Sequence, residues 1–151
     1  MAIGDKPKLS KLMSRRDELH FSLRRTLEKD GWTITDDPFI LVLGQTLLKA
    51  DLGAEKFFAA EKEGRKIAVE IKGFESPSVI NELEKTMGQL QLYEWALEMQ
   101  EPERQLFLAI SQAIYSKHFQ KTIFQLAVER NKINLSLYDP EREAIVQWSN
   151  H

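Results

Sequence analysis

The chain has 151 residues, of which 42% are hydrophobic and 29% charged, and a formal net charge of -2. That length suits one core and is short for two, so a single globular domain is expected. The near-neutral balance excludes polyanion binding through bulk charge alone, though not through a local basic face. With no cysteine at all, disulfide scaffolds, thiolate metal centres and cysteine nucleophiles fall away together.

The three histidines, His20, His118 and His151, form no close pair in the sequence, which leaves little room for a histidine-rich metal centre. The first twenty residues lack the apolar segment of a signal peptide. No stretch is long and apolar enough to read as a transmembrane span. A reduced, soluble, cytoplasmic protein is the expectation.

In chain order, residues 1–13 are basic, marked by Gly4 and Pro7, and read as a flexible leader before a domain over 14–151. In "SRRDELHFSLRRTLEKDGW" the spacing of Leu19, Leu23 and Leu27 predicts a helix that Gly31 stops. "WTITDDPFILVLG" opens as a strand and turns at Asp37-Pro38. The segment "LLKADLGAEKFFAAEKEGRKIAVEIKGF" predicts two antiparallel strands joined at Glu63-Gly64, followed by a Ser-Pro-Ser turn.

"SVINELEKTMGQLQLYEWALEMQ" is an amphipathic helix built on Ile80, Leu83, Met87, Leu90 and Ala96. "RQLFLAIS" reads as a buried strand, "KHFQKTIFQLAVERNK" as a third helix, and "INLSLYD" with "AIVQWS" as a closing strand pair around Asp139-Pro140. This alternation predicts the α/β or α+β class: a single domain with a mixed central sheet flanked by helices.

The chemistry is concentrated in "RKIAVEIKGF". In an extended segment Ile67, Val69 and Ile71 take one face, and Ala68, Glu70 and Lys72 take the other. One reading makes Glu70 and Lys72 a salt bridge on a solvated face. The alternative is a site, because the polar end of an apolar strand at a sheet edge is where sites are commonly built, and Asp51 opens the preceding strand of the same hairpin. Metal-assisted phosphodiester hydrolysis wants this kit: Mg²⁺ takes a few carboxylate oxygens and leaves positions open for phosphate, while a lysine steadies water or developing phosphoryl charge.

Asp51 followed by Glu70-Ile71-Lys72 resembles the PD-(D/E)XK nuclease core. From about residue 15 onward, "RRDELHFSLRRTLEKDGWTITDDP", "DLGAEKFFAAEKEGRKIAVEIKGFESPSVINELEKTMGQLQLYEWALE" and "RQLFLAIS" are similar to the cyanobacterial XisH family, the fdxN element excision controlling factors. The resemblance implies a restriction endonuclease-like fold and a DNA-associated role in DNA recombination. It implies Asp51 and Glu70 as ligands of Mg²⁺ or Mn²⁺, the Ile71 carbonyl as a further ligand, and Lys72 as the catalytic lysine. It also places Gln89 and Tyr93 near the active site, as in the Q-x-x-x-Y pattern of RecB-like members, with Asp17 or Glu18 and His20 as accessory residues of the first helix.

The motif's proline is absent, since Ala50 precedes Asp51. Simple pairing across a turn at Glu63-Gly64 sets Phe57 opposite Glu70 and Glu55 opposite Lys72, so Asp51 needs a bulge near Gly53 to approach, and Glu55 is otherwise the second acid. The implied partners are DNA and a site-specific recombinase or companion excision factor. A homodimer is a further candidate, because two strands need two cuts. Arg15, Arg16, Arg24 and Arg25, with Lys6, Lys8 and Lys11, offer either a phosphate-contacting face or a merely solvated one. Two functions follow: a metal-dependent DNA endonuclease, or a non-catalytic accessory protein that uses the nuclease scaffold for recruitment.

Overall fold

The first helix forms where its cap and its apolar stripe agree. In the computed structural model, which describes residues 14–48 and 57–150, α1 (Arg15–Lys29) begins at Ser14, whose hydroxyl accepts the Asp17 backbone N–H at 3.1 Å. Leu19, Leu23 and Leu27 lie one turn apart and are all buried. Gly31, at φ +95°, takes the left-handed conformation that closes the helix.

Strand β1 (Thr33–Asp36) leads into a small hairpin, β2 (Leu41–Leu43) and β3 (Thr46–Leu48). The long hairpin follows: β4 (Phe57–Lys62) and β5 (Arg65–Ile71) pair antiparallel with Lys62 opposite Arg65, so only Glu63 and Gly64 form the turn. Both carry positive φ, 51° and 80°, as a two-residue turn matched to strand twist requires. Next come α2 (Val79–Gln100), β6 (Gln105–Ser111), α3 (Gln112–His118), α4 (Thr122–Arg130), β7 (Asn134–Asp139) and β8 (Ala144–Ser149).

Among the described residues six strands make one mixed sheet in the order β1-β4-β5-β6-β7-β8. The central strands β5, β6 and β7 run parallel, and the outer pairings are antiparallel. Because β5 alternates, its side chains feed two cores. Ile67, Val69 and Ile71 pack with Leu19, Leu23 and Leu27 beneath α1. Ala68 joins Phe57 and Ala59 on the other face, covered by Leu83, Leu90, Tyr93, Ala96 and Leu97 of α2 and by Phe119 and Phe124 of the α3–α4 region. Four described helices thus flank the sheet, and none of them is long and apolar enough to cross a membrane.

Two features differ from the sequence expectation. The single helix expected over "KHFQKTIFQLAVERNK" is two. Helix α3 begins earlier, where Ser111 caps it by accepting the Ile114 N–H at 3.2 Å, and the chain turns at Phe119, Gln120 and Lys121 before α4. Phe119 and Phe124 both enter the core, 4.9 Å apart between ring centroids, and the break lets two short helices each present an aromatic to one cluster. Residues 46–48 pair with β2 rather than extending β4, because Gly44, at φ +60°, reverses the chain first.

Candidate functional site

Glu70 and Lys72 sit at the carboxyl end of β5, on the face that α2 covers. The Glu70 carboxylate is completely buried, and the Lys72 ammonium stands 3.3 Å from its Oε2, with only 9% of the lysine side chain exposed. A solvated surface pair is therefore the wrong description. Desolvating two charges is costly, and the neighbouring opposite charge offsets part of that cost.

The walls follow from the register. Phe57 of β4 lies opposite Glu70 on one side and Leu108 of β6 on the other, so the carboxylate is set into an apolar frame. Phe57 is opposite Glu70, as the turn arithmetic anticipates. Ala59 and Ala68 share this face with apolar side chains of α2 in one buried cluster.

From α2, Tyr93 stacks on Phe57 with ring centroids 4.1 Å apart. Gln89, one turn earlier, is half-buried with its Oε1 inside and, among the described residues, without a hydrogen-bond donor. The i, i+4 spacing thus brings both side chains to the sheet side of α2.

Beyond Lys72, whose backbone N–H donates to the Ala109 carbonyl at 3.2 Å, the chain turns sharply. Phe74 has φ +49°, rare for a residue with a Cβ. Its N–H donates to the Glu82 carboxylate at 2.9 Å, and its ring meets Phe119 and Phe124 edge-on at 5.4 and 5.9 Å. His118, also buried, stacks on Phe124. Burial, with help from Lys121 and Lys117, pushes the His118 imidazole below the ordinary histidine pKa.

The first-helix candidates are placed elsewhere. His20 is buried against Phe58 on the opposite face of the sheet, and its Nε2 lies 2.8 Å from Asp37, which also accepts from Arg24 at 2.7 Å. Asp17 and Glu18 occupy the first turn of α1, near the link after β5, where Arg15 approaches Glu75 at 3.4 Å. Arg15 also pairs with Glu18, Arg24 with Asp37 and Arg25 with Glu143, so three of the four helix arginines face acids. Asp51 and Glu55, with Lys6, Lys8 and Lys11, lie outside the described residues.

Among the described residues no three histidine or acidic side chains converge as a metal cluster. The described donors are one buried carboxylate and the Ile71 carbonyl beside it. In kind they suit a hard ion such as Mg²⁺ or Mn²⁺, which binds oxygen; in number they are part of a set.

Sequence reasoning missed Glu82, Asp37 and Arg104. Arg104 is buried, donates to the Ile67 carbonyl at 3.0 Å and pairs with Glu101. No local pattern marks the partners of these side chains, because each reaches an element distant in sequence or a loop whose path the sequence does not define.

The XisH protein family model matches residues 13–146. The chain is similar to the crystal structure of an XisH family protein from Nostoc punctiforme PCC 73102, with 40% identity, a TM-score of 0.81, and 88% of this chain and 99% of that one covered. It is also similar to a fdxN element excision controlling factor protein from Anabaena variabilis, with 38% identity, a TM-score of 0.81, and 89% and 99% covered. No curated protein matches it. A family model spanning most of the chain, with two solved relatives near 40% identity, shows that the chain belongs to the XisH family.

Proposed function

We propose that this chain is a DNA-associated factor in DNA element excision, with a metal-dependent PD-(D/E)XK-type site that hydrolyses phosphodiesters. The observation that supports it is the ion pair of Glu70 and Lys72, buried at the carboxyl end of a central strand. Apolar side chains in such a position usually serve stability as well or better, so a charged pair there speaks for chemistry. The relative from Anabaena variabilis is an excision controlling factor, which supports the biological setting and a recombinase or companion excision factor as partner.

Glu70 and the Ile71 carbonyl would hold Mg²⁺ or Mn²⁺, with Asp51 or Glu55 as the second acid. The ion, when bound, supplies charge to polarise the phosphoryl group and acidify water. Lys72 neutralises Glu70 in its absence and donates to the developing phosphoryl charge or orients the attacking water. Tyr93 fixes the Phe57 wall, and Gln89 presents a polar group from the same helix face.

The accessory reading, a non-catalytic protein on a nuclease-like scaffold, is supported by the relative from Anabaena variabilis being a controlling factor of excision. One experiment separates the two: purified protein is incubated with linear, nicked and branched DNA in Mg²⁺ or Mn²⁺, beside Glu70→Gln and Lys72→Ala variants whose folding is checked by circular dichroism. The catalytic reading expects cleavage by the wild type and a loss on the order of a hundredfold or more in each variant. Absence of cleavage, with DNA or recombinase binding indifferent to both substitutions, establishes the accessory role.

A further inference from the structure

Away from this site, α2 and α4 leave an apolar groove of about 360 Å³ between them, lined by Ile80, Leu83 and Met87 on one side and Ile123, Leu126 and Ala127 on the other. Ile80 and Ile123 are each about half exposed, at 47% and 51%. Apolar side chains gathered in a groove, rather than scattered singly, mark a surface that another surface covers. Glu84 edges the groove on α2 and Arg130 on α4, and both are exposed.

We infer that the groove is the interface between two copies of this chain, with Glu84 of each facing Arg130 of the other. The charges choose the occupant and its orientation. A two-fold axis along the groove sets α2 against the partner's α4, so acid meets base twice over. An axis across the groove would set Glu84 against its own copy and Arg130 against its own, which repels. The pairing also needs Glu84 and Arg130 at similar heights along the groove. Asn131 reaches Met87 across it, 3.9 Å from Nδ2 to Sδ. Arg130 adjoins Asn131 and Glu84 lies less than one helical turn from Met87, so the heights agree within about 5 Å. A different protein with a mixed-charge amphipathic helix could fill the same shape, but this surface already supplies its own complement.

Sedimentation equilibrium on the full chain over the micromolar range tests this directly. The wild type is expected to dimerise. Glu84→Arg and Arg130→Glu should each weaken the dimer by about tenfold or more, since each places like charges together twice, and the double exchange Glu84→Arg/Arg130→Glu should restore it. Ile123→Asp, at an exposed position whose loss leaves the core intact, should abolish the dimer with an unchanged circular dichroism spectrum. A wild type that stays monomeric overturns the inference, whatever else covers the groove. So does a dimer indifferent to Ile123→Asp, or a double exchange that fails to rescue. Cleavage assays are not the readout, so this result and the nuclease proposal stand or fall separately.

Discussion

Tyr93 lies flat on Phe57, with ring planes 8° from parallel, and Phe57 is the residue paired across the hairpin from Glu70. The helix is thereby keyed to the strand position that matters for the site. Tyr93→Ala should cost about 3–5 kcal/mol, the usual scale for deleting a buried aromatic, in urea unfolding. Tyr93→Phe keeps the stack, so its stability should stay within about 1.5 kcal/mol of the wild type. Cleavage lost in Tyr93→Phe would assign the hydroxyl to chemistry; cleavage retained would leave Tyr93 a packing residue.

The buried pair predicts a non-additive mutant cycle. Lys72→Met alone takes the neighbouring positive charge from a buried carboxylate and should destabilise by about 3–5 kcal/mol. The double variant Glu70→Leu/Lys72→Met removes both charges and should recover most of that loss, while Mn²⁺ binding disappears from calorimetry. Simple addition of the two single effects would show that the pair is not electrostatically coupled.

His118 makes an acid-sensitive contribution whose sign follows from its depressed pKa. The fold favours the neutral ring, so the contribution is complete above the unfolded value of about 6.5. It declines as pH falls below that, and is gone once pH passes the lower folded value. Urea midpoints should therefore drop between neutral and mildly acidic pH, and His118→Gln should flatten that drop. An NMR titration placing the folded pKa at or above the ordinary one contradicts this.

Glu63 holds a positive φ in the β4–β5 turn, where asparagine is better tolerated. Glu63→Asn should raise stability by about 1 kcal/mol in the same urea assay. The turn is at the opposite end of the hairpin from Glu70, so metal affinity should not change; if it does, hairpin register rather than turn strain has been altered.

Much of the fold was legible because its signals are local. The Leu19, Leu23, Leu27 stripe, the Glu63-Gly64 turn and the alternation in "RKIAVEI" each depend on neighbours within a few residues. Their consequences, down to Phe57 opposite Glu70, appear in the structure. The break between α3 and α4 was not legible, since an uninterrupted polar and apolar mixture there continues the helical period, and only the packing of Phe119 and Phe124 into one cluster decides it. For the site, the burial of Glu70 and Lys72 depends on the frame that Phe57, Leu108 and the apolar side chains of α2 build around the end of β5, a tertiary fact. His20 shows the converse: its spacing on α1 is compatible with a site, yet its ring is claimed by Asp37 on the far face.

The turn at Phe74 gives the site an unexpected guarantor. A left-handed backbone costs such a residue about 1–2 kcal/mol, while withdrawing its ring from Phe119 and Phe124 would cost about 3–5 kcal/mol. The larger quantity holds the smaller in check, like a latch on a drawn spring. Two residues upstream stands Lys72, whose position is thereby underwritten by aromatic rings from the α3–α4 region, where none of the candidate catalytic residues lies. Loosening Phe119 or Phe124 would slacken the end of β5 from a distance, and a defect there would read as a fault in the site.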